Sequence, residues 1–110
     1  MPELTDQQKE MINQFQMYQQ QLQSVLIQKE SLRLQNIEID KALEELNATK
    51  EEKAYKITGQ IMVSKTIDEL KKELNESKEL VGVRTKSLEK IEERINTKLN
   101  ELQEKLKEIK

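Results

Sequence analysis

The sequence predicts a mostly α fold: a long antiparallel two-helix coiled coil whose helices are joined by a single β-hairpin. Three observations carry that expectation. Of the 110 residues, 54 are Ala, Glu, Lys, Leu or Arg, about the half-share expected of long helices or coiled coils. Two stripes of apolar residues at heptad spacing occupy positions 11–46 and 67–109. Between the stripes lies a short β-branched stretch centred on a glycine. The chain reads as one domain: an N-terminal helix over 6–48, a hairpin over 54–65 and a C-terminal helix over 67–109.

The first stripe runs Met11, Phe15, Tyr18, Leu22, Val25, Lys29, Leu32, Asn36, Ile39, Leu43, Leu46, with gaps alternating four and three. Lys29 and Asn36 interrupt it. Polar residues at such positions fix register at some cost in stability. Thr5-Asp6-Gln7-Gln8 has the form of a capping box at the helix start, and Asn47 suits its C-terminal cap. The second stripe runs Ile67, Leu70, Leu74, Val81, Leu88, Ile91, Ile95, Leu99, Leu102, Leu106, Ile109, with Ser77 and Arg84 in the expected gaps. Ile91, Ile95 and Leu99 are spaced four and four, which predicts a stutter that locally unwinds the supercoil. Thr66-Ile67-Asp68-Glu69 is a second capping box. Gly82 is the anomaly, since a mid-helix glycine costs about 1 kcal/mol against alanine. Two readings of it stay open, a tolerated weak point and a hinge. Helices of equal length with a short connection favour an antiparallel pair, each covering the other's seam.

The connection alternates. Tyr55 and Ile57 are interleaved with Lys56 and Thr58, and Ile61 and Val63 with Met62 and Ser64, around Gly59. That pattern predicts a hairpin with Gly59 in its turn, where positive φ is available. The expected apolar face is Tyr55, Ile57, Ile61 and Val63. A lone two-stranded hairpin is marginal in water, and its bare edges invite pairing. Hairpins from other chains could pair edge to edge and close a sheet or an oligomeric β-barrel body. The alternative is a hairpin folded back onto its own helices.

Composition excludes several functions. There is no Cys and no His, so disulfides, thiol nucleophiles, zinc–thiolate sites and histidine acid–base chemistry are absent. Nineteen basic against 21 acidic residues give a net charge of −2, and no face is basic enough for nucleic acid. No apolar run approaches a membrane span, and the first residues, Met1-Pro2-Glu3-Leu4-Thr5-Asp6, do not resemble a signal peptide. The expectation is a soluble cytoplasmic protein, not an enzyme, without metal, cofactor or phosphate-cradling loop.

Helix, short charged linker, Tyr55-Lys56-Ile57-Thr58-Gly59-Gln60-Ile61-Met62-Val63, helix: this order resembles the β-class subunits of prefoldin. The Gln-rich heptad Tyr18-Gln19-Gln20-Gln21-Leu22-Gln23 and the segment Lys41-Ala42-Leu43-Glu44-Glu45-Leu46 are similar to the β-class first helix. The α class carries two hairpins between its helices, and here only one fits. The resemblance implies an ATP-independent co-chaperone subunit of archaeal type. It would assemble with α-class subunits and other copies of itself into an α2β4 hexamer with a double β-barrel body. It would clasp unfolded polypeptide at the tips of the coiled coils and hand it to a group II chaperonin.

The tip set in this sequence is Leu4, Met11, Ile12 and Phe15 on the first helix, with Leu99, Leu102, Leu106 and Ile109 on the second. Helix ends lack intrahelical partners for their last amides and carbonyls, and fraying would expose these side chains. The same residues at helical spacing also read as coiled-coil core. The assembly set is Tyr55, Ile57, Gly59, Ile61 and Val63. The competing function is a structural coiled-coil module, a spacer or filament former whose hairpin merely oligomerises.

Overall fold

A computed structural model describes residues 4–108. Four elements follow one another: α1 (Asp6–Ala48), β1 (Lys53–Thr58), β2 (Ile61–Thr66) and α2 (Ile67–Lys107). Ile109, the last residue of the expected tip set, lies outside the described residues.

The helix ends explain themselves chemically. Thr5 and Gln8 form a reciprocal capping box: the Gln8 amide donates to Thr5 Oγ1 at 3.1 Å, and the Thr5 amide donates to Gln8 Oε1 at 2.8 Å. Asn47 does not cap α1. The helix runs through it to Ala48, and the Thr49 amide still donates to the Glu45 carbonyl at 3.0 Å. Thr49 Oγ1 then accepts from the Glu51 amide at 3.2 Å, a side-chain turn that stops the helix without a left-handed residue. At the other end of the hairpin, Thr66 is both the last residue of β2 and the cap of α2, its Oγ1 accepting from the Glu69 amide at 3.2 Å. The Ile67 amide donates to the Glu52 carbonyl at 3.0 Å, so α2 starts from the base of the hairpin with no linker between.

The contacts divide the chain into two compact units, residues 32–84 and the two segments 1–31 with 85–110. In the 32–84 unit, Leu32, Ile67, Leu70 and Val81 are buried, with Ile39, Leu43, Leu46 and Leu74 half-buried beside them. Asp40 and Lys78 pair across the helices at 2.5 Å, both well exposed, a surface contact worth little. In the other unit Val25, Ile95 and Leu102 are buried, and Met11, Phe15, Tyr18, Leu22, Leu88, Leu99 and Leu106 are half-buried.

The first stripe packs along α1 position for position: all eleven residues from Met11 to Leu46 are buried or half-buried. The second does not. Ile91 points outward and is 39% exposed, whereas Glu92 is half-buried. The inward positions of α2 run Val81, Thr85, Leu88, Glu92, Ile95, Leu99, Leu102, Leu106, an unbroken four-three alternation. The expected stutter at 91–99 is therefore absent. Ser77 and Arg84, which fill the expected gaps in the stripe, are both exposed, and Thr85 takes the inward position after Val81. Leu88, Ile95, Leu99, Leu102 and Leu106 fix this phase, which rotates Ile91 to solvent and brings Glu92 to Lys29 of the α1 seam.

The helix continues through Gly82, and a methyl group built there would meet nothing within 4 Å. No close approach requires glycine at this position.

Candidate functional site

The hairpin is built from six residues a side. Its register pairs Lys53 with Thr66, Ala54 with Lys65, Tyr55 with Ser64, Lys56 with Val63, Ile57 with Met62 and Thr58 with Ile61. Gly59 and Gln60 form the two-residue loop. Gly59 has φ +60°, and no non-glycine described residue has positive φ, which is the pattern of a type II′ turn with glycine first. A side chain at Gly59 would meet open space but a strained backbone.

This register corrects the expected apolar face. Residues directly opposite in an antiparallel pair share a face. A two-residue loop pairs odd-numbered positions with even ones, so Tyr55 and Ile57 lie with Met62 and Ser64. Ile61 and Val63 lie on the other face, with Lys56 and Thr58. Alternation along each strand does not show which residues pair; the two-residue loop is the signal that brings Met62 onto the Tyr55 face. The apolar residues of both faces are open: Tyr55 is 70% exposed, Ile57 72%, Met62 64% and Ile61 65%, with Val63 less so.

Glu73 of α2 ties down both strands. Lys56 Nζ from β1 donates to Glu73 Oε2 at 3.0 Å, and Lys65 from β2 donates to the other carboxylate oxygen. These two lysines, Lys65 first, hold the Glu73 carboxyl below the usual carboxylate range. Beside this clamp lies an open groove of about 370 Å³ with Ala42, Leu46, Ala54, Tyr55, Leu70 and Leu74 among its lining.

The unit formed by the two chain ends holds the expected binding set. Leu4, just before α1, is exposed. Met11, Ile12, Phe15, Leu99 and Leu106 are half-buried, and Leu102 is buried at 6% exposure. Apart from Leu4, these side chains sit wholly or partly in the seam rather than on a displayed patch. Met17, Leu26 and Ile27, which lie outside the expected set, are exposed in the same unit. Their signal in the sequence is an apolar residue off the heptad seam. Lys29 Nζ reaches Glu92 Oε1 at 2.8 Å and Oε2 at 3.3 Å, bridging the helices from seam positions. That hydrogen bond raises the lysine above its ordinary pKa, with partial desolvation opposing it. Among the described residues no cluster of acidic side chains could hold a metal ion, and no helix is long and apolar enough to cross a membrane.

The two helices and one hairpin of the described residues match a known architecture. The chain is matched over residues 9–110 by the family model described as Prefoldin subunit. It belongs to the prefoldin family, in its β class. This prefoldin chain is 36% identical over 110 residues to the prefoldin subunit beta of Archaeoglobus fulgidus, covering 99% of this chain and 95% of that one. It is 40% identical over 93 residues to that of Thermococcus kodakarensis, covering 84% and 80%. The crystal structure of the prefoldin beta subunit from Thermococcus strain KS-1 is similar to it with a TM-score of 0.86, at 36% identity over 96% of this chain and 94% of that one. Membership supports a co-chaperone role in a family of chaperones rather than enzymes. It also implies assembly with other prefoldin subunits.

Proposed function

We propose that this chain is an ATP-independent co-chaperone subunit that acts in the cytoplasm and is not an enzyme. It assembles through its hairpin with α-class prefoldin subunits and further copies of itself, in an α2β4 hexamer with a β-barrel body. It binds unfolded polypeptide at the chain-end unit, through Leu4, Met11, Ile12, Phe15, Leu99, Leu102, Leu106 and Ile109 acting as a set, and delivers it to a group II chaperonin. One observation carries the reading: the likeness to prefoldin β covers both helices and the hairpin together.

The physical argument supports it at each end. A hairpin whose large apolar side chains are open to water gains from being covered by other chains. Helix termini fray, and opening the seam at the chain ends presents Met11, Phe15 and Leu102 to a client. Each such surface is small, so one subunit binds weakly. Several acting on one chain raise avidity by about 10²–10⁴ where geometry allows. Weak, multivalent and releasable contact suits a holdase without nucleotide.

The test is suppression of aggregation of a denatured protein by the chain assembled with an α-class prefoldin subunit. Protection at stoichiometric ratio is expected. Its absence would favour the second reading, a structural coiled-coil module without holdase activity. That reading draws on one observation: most of the proposed binding residues are seated in the seam.

A further inference from the structure

The hairpin has two chemically unlike faces, and they cannot serve the same purpose. On one, the rungs Tyr55–Ser64 and Ile57–Met62 carry no charge; a lysine, Lys53, appears only at the base rung opposite Thr66. On the other, Lys56 and Lys65 flank Val63 and Ala54, and both lysines bond to Glu73 of the chain's own α2. That second face is thus tied to α2 by both lysines, whereas on the first Ile57 and Met62 have no such tie and Tyr55 borders the groove beside the clamp.

A closed barrel has an interior and an exterior, and residues alternate between them along each strand. Enclosing the lysine face would remove from water two cations that share one carboxylate, leaving an unbalanced positive charge in a dry interior. Enclosing the other face removes from water Tyr55, Ile57 and Met62, which are exposed in the single chain and gain from cover. Its polar groups between the base rung and the turn are the Ser64 and Tyr55 hydroxyls, paired on one rung, and each needs a hydrogen bond.

We infer that the Tyr55/Ile57/Met62/Ser64 face forms the interior of the assembled body, packed against the hairpins of other prefoldin subunits, and that the Lys56–Glu73–Lys65 clamp sets this orientation. Ile61 and Val63 then lie on the exterior. This rests on the hairpin being the assembly element. Glu73 acts as a positioning residue: it touches no partner hairpin but fixes which face the partner meets.

The experiment measures native mass of the full chain co-expressed with an α-class prefoldin subunit, for Ile57→Asp and Met62→Asp against Ile61→Asp and Val63→Asp. Loss of the assembled species is expected for the first pair and retention for the second. Helical circular dichroism checks that each variant folds. A milder arm uses the absence of native cysteine: in the intact assembly, the thiol of Ile57→Cys should be protected from alkylation and that of Ile61→Cys should react freely. The reverse pattern, or equal loss of mass in all four Asp variants, would overturn the facing while leaving hairpin assembly in place. If the wild-type chain stays monomeric, or no Asp variant loses mass, hairpin assembly itself falls, and the facing with it.

Discussion

The hairpin and the chain-end unit are both apolar, but they display it differently. Tyr55, Ile57, Ile61 and Met62 stand open to solvent on a sheet only two strands wide. Met11, Phe15, Leu99 and Leu102 are drawn into a seam. A sheet of two strands has no second layer of its own to bury its side chains, so they stay open in the single chain. A helix pair covers its own stripe and gives it up only by opening. The difference separates a surface suited to standing assembly from one suited to transient contact.

The largest effect that would sharpen this contrast is a cavity in the seam. Leu102→Ala should cost about 2–5 kcal/mol in the range of buried Leu truncations. Hydrogen exchange should quicken in 4–31 and 85–108 while the native mass of the assembly stays unchanged. Loss of assembly would mean that the two regions are not separable in this way.

A smaller effect is expected at Lys29. Lys29→Glu sets its new carboxylate against Glu92, with Glu89 nearby, and should lower the melting temperature; Glu92→Lys in the same chain should recover most of it. The pair also predicts a pH response. The folded-state pKa of Lys29 is raised above 10.5, so its contribution is complete below that value and is lost as pH rises through the folded pKa. Melting followed from pH 9 upward should show this loss in the wild-type chain and not in Lys29→Met.

Gly82→Ala should stabilise the helix by about 1 kcal/mol, because the added methyl meets no atom within 4 Å and glycine is the poorer helix former. Thermal melting checks the sign. Destabilisation would show that glycine is needed there for a reason other than space.

The smallest effect is at the hairpin base. The Glu73 carboxyl titrates below its ordinary 4.5, so the clamp contributes fully above that value and weakens as pH falls through the folded pKa. Exchange of the strand amides should rise at acid pH in the wild-type chain. Glu73→Gln should show the faster exchange already at neutral pH.

How much of this was legible in the sequence depends on where each side chain's partner lies. The α1 stripe could be read whole, since its alternation continues through Lys29 and Asn36 without a shift. Both helix starts were legible because capping is local: Thr5 and Gln8 close the reciprocal box, and Thr66 accepts from the Glu69 amide. Around Ile91 the reading failed, because a glutamate ranks as a surface residue until a lysine opposite it is known, and Lys29 lies 63 residues away. The hairpin faces failed for a similar reason: alternation along a strand is local, but which residues share a face depends on pairing across the loop. Asn47 had a suitable side chain, yet Thr49 supplied the bond two residues later. The binding set was legible as a stripe, but its seating in the seam was not.

The most direct test of the separation between the two regions is to delete residues 1–12 and 99–110 and assay the product, assembled with an α-class prefoldin subunit, for suppression of aggregation. The expected result is an assembly of the same subunit number with no protection of the denatured protein. Full protection by the truncated assembly would contradict the account, because it would place client binding somewhere other than the chain ends.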